Sequence, residues 1–174
     1  MANPTRPVTG RERTFPVDEI IVSKTDTTGR LTYVNDVFLT VSGYEESELM
    51  GQPHSIVRHP STPRCLFKLM WEYIVAGKEV FIYVNNRAKN GDHYWVFAHI
   101  TPNFDSSGQI IGYHSNRRVP RREVIAKLQP LYDRLRQEED RHADSKEGLA
   151  ASTKMLKDML AQDGKRYEEF ILSL

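Results

Sequence analysis

The densest group of chemically capable side chains in this 174-residue sequence is the run from His54 to Pro60. It places Arg58 directly before His59 and four residues after His54, in a segment bounded by Pro53, Pro60 and Pro63. A guanidinium beside imidazoles pairs well with phosphate or pyrophosphate oxygens. The same residues also suit an ordinary surface loop in which Arg58 bonds backbone carbonyls and both histidines face water. A zinc site is a weaker reading, because His54, His59 and Cys65 lack a standard ligand spacing and a fourth ligand.

A second candidate is the run from Val80 to Trp95. With strand periodicity, Val80, Ile82, Val84 and Asn86 share one face, and Phe81, Tyr83, Asn85 and Arg87 share the other. An amide ending an apolar face offers a donor and an acceptor side by side, which matches the pyrimidine edge of a flavin or a nucleobase. Asn85 and Asn86 equally suit the flank of a hairpin turn. Asn35 reads first as a helix cap, and Trp71 and Trp95 each either stack on a ring or fill core. Nucleophilic catalysis has little support. Cys65 shows no activating neighbours, and a serine beside a histidine, as at Ser55 and Ser61, is common by chance. No glycine-rich phosphate loop or purposeful carboxylate pair occurs, so an enzyme is the least expected class.

These residues need a frame. Residues 19–35 hold two β-rich runs around a Thr-Thr-Gly turn, which predicts a hairpin. Short helices follow over 36–43 and 47–50, stopped by Gly43 and Gly51. Residues 64–76 carry Phe67, Met70, Trp71 and Ile74 at helical spacing and end at Gly77. Three strands are then expected over 79–88, 93–102 and 109–118, joined by turns rich in Asn, Asp, Ser and Gly. Helices grouped between strands give an α+β plan: a five-stranded antiparallel sheet with a helical wall and a cleft between them.

The composition changes near Pro120. Residues 121–174 are dominated by charged residues, Leu and Ala, with Val124, Leu128, Leu131 and Leu135 forming an amphipathic stripe. Pro130 lies within that stripe and predicts a kink or a helix restart. Gly164 predicts a helix end, and Tyr167, Phe170, Ile171 and Leu174 supply a last apolar turn. The expected division is an N-terminal arm over 1–17, an α+β domain over 18–120 and an amphipathic helical tail over 121–174. The tail's apolar face requires burial on the sheet, on itself or on a second chain.

Composition narrows the partners. The 24 Lys and Arg against 23 Asp and Glu give a net charge of +1, which argues against nucleic acid as partner. The single cysteine and the lack of a long apolar run or secretory leader make the expected location cytoplasmic, with no membrane span.

The segments from Tyr33 to Pro63, Asn86 to Val96 and Gly108 to Arg118, with the helix between the first two, carry the strings GQPH, VRHP, MW (Met70-Trp71) and KNGDHYW in order. Over residues 18–118 the chain thereby resembles PAS domains of the bacterial aerotaxis-receptor type. That resemblance implies the sheet and helical wall expected above, a noncovalently held FAD and a redox or oxygen signal passed to a chemotaxis or other signalling protein. By motif position it implies Asn35, His54, Arg58, His59, Phe67, Trp71, Asn86 and Trp95 as cofactor-binding residues. Two positions depart from the family pattern: Ser61 stands where Asp is usual, and Val80 where Trp is usual. No cysteine occupies the photoadduct position of light-sensing relatives, since Cys65 belongs to the following helix. The tail ending YEEFILSL is similar to that of short stand-alone PAS proteins, which implies output through a separate protein or a homodimer formed by sheet or tail. Alternatives are a cofactor-free PAS interaction module and a haem sensor with His54 or His59 as axial ligand.

Overall fold

A computed structural model describes residues 7–174. Residues 1–6 of the expected arm lie outside the described part. Five strands, β1 (Ile21–Thr25), β2 (Leu31–Val34), β3 (Val80–Arg87), β4 (His93–Phe104) and β5 (Ile110–Arg118), form one antiparallel sheet in the order β2-β1-β5-β4-β3. The helices α1 (Asp36–Ser42), α2 (Glu46–Leu49) and α3 (Arg64–Val75), with a 3-10 turn at His54–Val57, lie between β2 and β3 in sequence.

Each element starts where its sequence directs. Asn35 caps α1 by accepting from the Phe38 amide, and Gly43 closes that helix at φ 70°. The β3–β4 turn pairs Asn86 with Tyr94 and Asn85 with Trp95. That register puts Ile82, Val84 and Asn86 on the inner face, with Val96 and Ala98 opposite Val84 and Ile82. The sheet's first and last strands continue the inner layer, with Ser23 opposite Ser115 and Ile21 opposite Arg117.

The tail forms α4 (Arg122–Asp140), α5 (Ser145–Gln162) and α6 (Tyr167–Leu172). No restart occurs at Pro130, which lies inside α4. The carbonyl that loses its amide partner there belongs to Ala126, and both residues are exposed, so that carbonyl is open to solvent. α4 and α5 pack as a hairpin, closely enough that a Cβ on Gly148 would lie 2.4 Å from the Glu139 carbonyl oxygen. α4 buries Val124, Leu128, Tyr132 and Leu135. Tyr132 donates through Oη to the Tyr83 carbonyl at 2.7 Å, while α5 packs on α3 and α6 on β3. The tail therefore meets both the outer side of β3 and the wall helix.

The hinge of this packing is Glu139. Its buried carboxylate accepts from the Cys65 amide at 3.0 Å and Arg64 Nε at 3.1 Å, both at the start of α3. Arg136 Nη1 at 3.0 Å and Ser152 Oγ at 3.1 Å complete its shell. One carboxylate thus caps the wall helix and ties it to both long tail helices.

Candidate functional site

Between the inner face of the sheet and α3 lies a cavity of about 250 Å³. Phe67, Met70, Trp71 and Ile74 of α3 supply one wall, as their three- and four-residue spacing requires. Ile82, Val84, Ala98 and Ile100 supply the other from β3 and β4. Trp71 stands edge-on to Tyr113 with ring centres 5.4 Å apart. It also covers Gly29, where a Cβ would lie 3.0 Å from the indole and where φ is 81°. Glycine serves both needs at that turn.

Five sequence candidates meet at this cavity: His54, Arg58, Phe67, Trp71 and Asn86. An isolated bridge holds the Arg58 backbone against Asn86, and the Arg58 guanidinium lies 3.9 Å from the centre of the Phe67 ring. Burial lowers the Arg58 pKa from its usual value.

The other three lie elsewhere. Asn35 spends its side chain on the fold: Oδ1 accepts from Val22 N at 2.9 Å and Phe38 N at 3.1 Å, and Nδ2 donates to the Ile20 carbonyl at 2.8 Å. His59 turns away from the cavity. Its Nδ1 lies 2.8 Å from Ser61 Oγ, which also accepts from Asn85 Nδ2 at 3.1 Å, and its ring faces His93. Burial, then His93 and Arg87, lower its pKa to about 4. Trp95 pairs with Asn85 and so points to the outer face, where its ring centre lies 5.9 Å from that of Tyr132. It belongs to the contact with the tail. Val80 is fully buried, and Ser61 serves the His59–Asn85 cluster outside the cavity. Cys65 faces the same way as Glu139, and burial pushes its thiol up to about 11, so it is an unreactive group outside the cavity.

Sequence reasoning passed over Arg117, only 3% exposed and part of the cavity lining. Its Nη2 donates to Ser23 Oγ at 2.9 Å and to His54 Nε2 at 2.5 Å. Burial first, and then Arg117, hold His54 down at about 3, so its ring is neutral, with Nε2 as acceptor and the proton on Nδ1. That nitrogen is no longer free for an iron, and His59 lies outside, so the cavity does not favour the haem reading. Arg117 Nη1 and Ser115 Oγ are buried without any hydrogen-bond partner. Among the described residues no carboxylate lies within 4.0 Å of Arg58 or Arg117, and no acidic residue lines the cavity. A parity argument from Tyr113 through Ser115 to Arg117 was available to find this group.

The arrangement suits reception of a flat, partly apolar molecule carrying acceptor atoms or negative charge. Its volume lies just below the usual range for ligand cavities and suits a ring system, with any longer substituent leaving past the exposed Thr28, Pro53 and Ser55. Among the described residues no cluster of His, Cys, Asp and Glu could hold a metal ion, and no helix is long and apolar enough to cross a membrane.

Comparison with known proteins gives this architecture a family. The E. coli K12 aerotaxis receptor is 43% identical over 128 residues, covering 74% of this chain and 25% of the receptor. A nitrogen fixation regulatory protein of Klebsiella pneumoniae is 27% identical over 99 residues, covering 57% of this chain and 20% of that protein. The chain thus spans a quarter or less of these relatives' length. Among solved structures, the light state of the blue-light photoreceptor Aureochrome1 LOV matches with a TM-score of 0.56 at 23% identity, over 66% of this chain and 91% of that one. An RNA-binding light-oxygen-voltage receptor matches at 0.57 and 19% identity, over 66% of this chain and 34% of that one. A family model described as the PAS fold matches residues 31–117. With that match across half the sequence, and the sheet, helical wall and cavity found in the same segment, the chain belongs to the PAS-fold family.

Proposed function

We propose that this chain is a PAS sensor module that holds a flavin, FAD in the first instance, and passes its redox state to a signalling partner. The observation that carries the proposal is the apolar cavity whose lining includes Arg58, Asn86 and Arg117 and no acidic residue. A flat ligand carrying acceptor atoms or negative charge fits such a lining. The similarity to an aerotaxis receptor favours a redox ligand over other flat molecules.

In this reading Phe67, Trp71 and the β3–β4 apolar residues enclose the ring and exclude water, and the Asn86 amide reads its polar edge. Arg58 meets phosphate oxygens from the loop. When bound, the flavin supplies reversible electron uptake. The chain's own residues convert that change into structure: a change in charge within the cavity alters the pull on Arg58 and α3, and Glu139 links α3 to the tail. Only contacts that differ between the two redox states shift such an equilibrium. The module acts as a non-enzymatic cytoplasmic sensor, with a chemotaxis or other signalling protein as partner and a homodimer as the working form.

The test is an absorption spectrum of the purified protein after incubation with excess FAD, and separately FMN, followed by removal of free ligand. Retained flavin bands support the proposal. Their absence for both ligands overturns it and favours a cofactor-free interaction module.

A further inference from the structure

Arg117 is an unusual group to find in an apolar cavity. It is 3% exposed, and among the described residues its Nη1 has no partner and no carboxylate lies within 4.0 Å of it. The groups found against it are neutral: Ser23 from β1, Phe38 from α1, His54 from the 3-10 turn and Tyr94 from β4, with Ser115 two residues earlier on its own strand β5; Arg58 is the other cation of the cavity lining. Burial pushes the Tyr94 hydroxyl above its usual range and drives His54 towards its neutral form, so neither supplies a counter-charge or competes as a cation at neutral pH. Burial lowers the guanidinium itself only to about 10, which leaves it charged.

A buried, unpaired cation is costly unless something anionic arrives beside it. His54 and Ser23 hold the guanidinium through Nη2, which fixes the position of its charge at the cavity lining. Resting on the flavin reading above, we propose that Arg117 is the counter-charge for a delocalised anion on the bound ring, so that the site favours the singly negative reduced form over the neutral reduced form. In proton and electron balance, the neutral oxidised ring takes up two electrons and one proton to become the reduced anion. Formation of the neutral reduced ring would take two electrons and two protons. The reductant is a low-potential electron donor, dithionite in the test.

The chain loaded with FAD, or with FMN if only that is retained, is titrated reductively with mediators at several pH values below the ionisation of the free reduced ring. The pH slope of the midpoint potential counts the protons taken up per two electrons. The wild type takes up one. Arg117→Gln, which removes the charge and keeps hydrogen-bonding capacity, takes up two and loses at least tenfold in affinity for the reduced relative to the oxidised ligand. That loss appears as a midpoint potential lower by about 30 mV or more. Arg117→Lys keeps the one-proton uptake. If Arg117→Gln holds the oxidised ligand with unchanged potential and proton count, or if the wild type takes up two protons, the proposal falls while the flavin reading stands. If Arg117→Gln fails to hold the oxidised ligand, Arg117→Lys decides: one proton supports the assignment and two overturn it. Failure of the wild type to hold either flavin removes both readings together.

Discussion

Two buried charges on opposite sides of α3 have received opposite treatment. Glu139, on the tail side, has two arginines, a backbone amide and a serine hydroxyl within 3.1 Å. Arg117, on the cavity side, has a neutral histidine, one serine and an unpartnered nitrogen. A charge completed by its own chain locks elements together, whereas one left incomplete stores a capacity to bind. The contrast separates what holds the fold from what the fold is built to receive.

The largest expected effect falls on the completed charge. Glu139→Ala removes the cap of α3 and takes a partner from the buried Cys65 amide and Ser152 hydroxyl, while Arg136 keeps Asp140 and Arg64 keeps Ser145, so we expect a loss of about 1–3 kcal/mol in unfolding free energy. Denaturant unfolding measures this, and a loss below about 1 kcal/mol would mean that the tail is held by apolar packing alone. If the tail is the output element, the same variant also releases α4 and α5 to faster hydrogen exchange, with the sheet less affected.

A smaller effect concerns acid. His54, held at about 3, and His59, held at about 4, bind fewer protons when folded than when unfolded. Stability therefore falls as pH drops below the usual histidine range of about 6.5, by at most about 1.4 kcal/mol per pH unit for each group. Between about pH 6.5 and 5, above most carboxylate titration, His54→Gln flattens this dependence. An equal slope in wild type and variant would show that His54 is free to charge beside Arg117, against the neutral acceptor role given to it.

Much of the fold was legible because local rules and tertiary packing agree. The i, i+3, i+4, i+7 spacing of Phe67, Met70, Trp71 and Ile74 put all four on the cavity wall. Alternation put Asn86 inside and Asn85 outside. Trp95 was misplaced because motif position was followed where strand register was decisive: the turn sets Trp95 opposite Asn85, hence outside. Asn35 and His59 went the same way, each a polar residue whose bonding capacity the backbone or a neighbour consumes. Of the kink or restart expected at Pro130, the restart does not occur, because the exposed helix face leaves the orphaned carbonyl open to solvent. Arg117 and Glu139 were least legible. A lone charged residue in a run such as Asn116-Arg117-Arg118 or Glu138-Glu139-Asp140 looks solvated until distant elements close over it.

The contrast between the two charges reduces to one measurement: denaturant unfolding of wild type and Arg117→Gln, each with and without saturating FAD. Without ligand, we expect the variant to be at least as stable as wild type, because an incompletely paired buried cation has been removed. With ligand, wild type gains more than the variant, the gain following the tighter binding. Equal ligand-induced gains in both proteins, or a variant markedly destabilised without ligand, would contradict the assignment of Arg117 as a charge that waits for its partner.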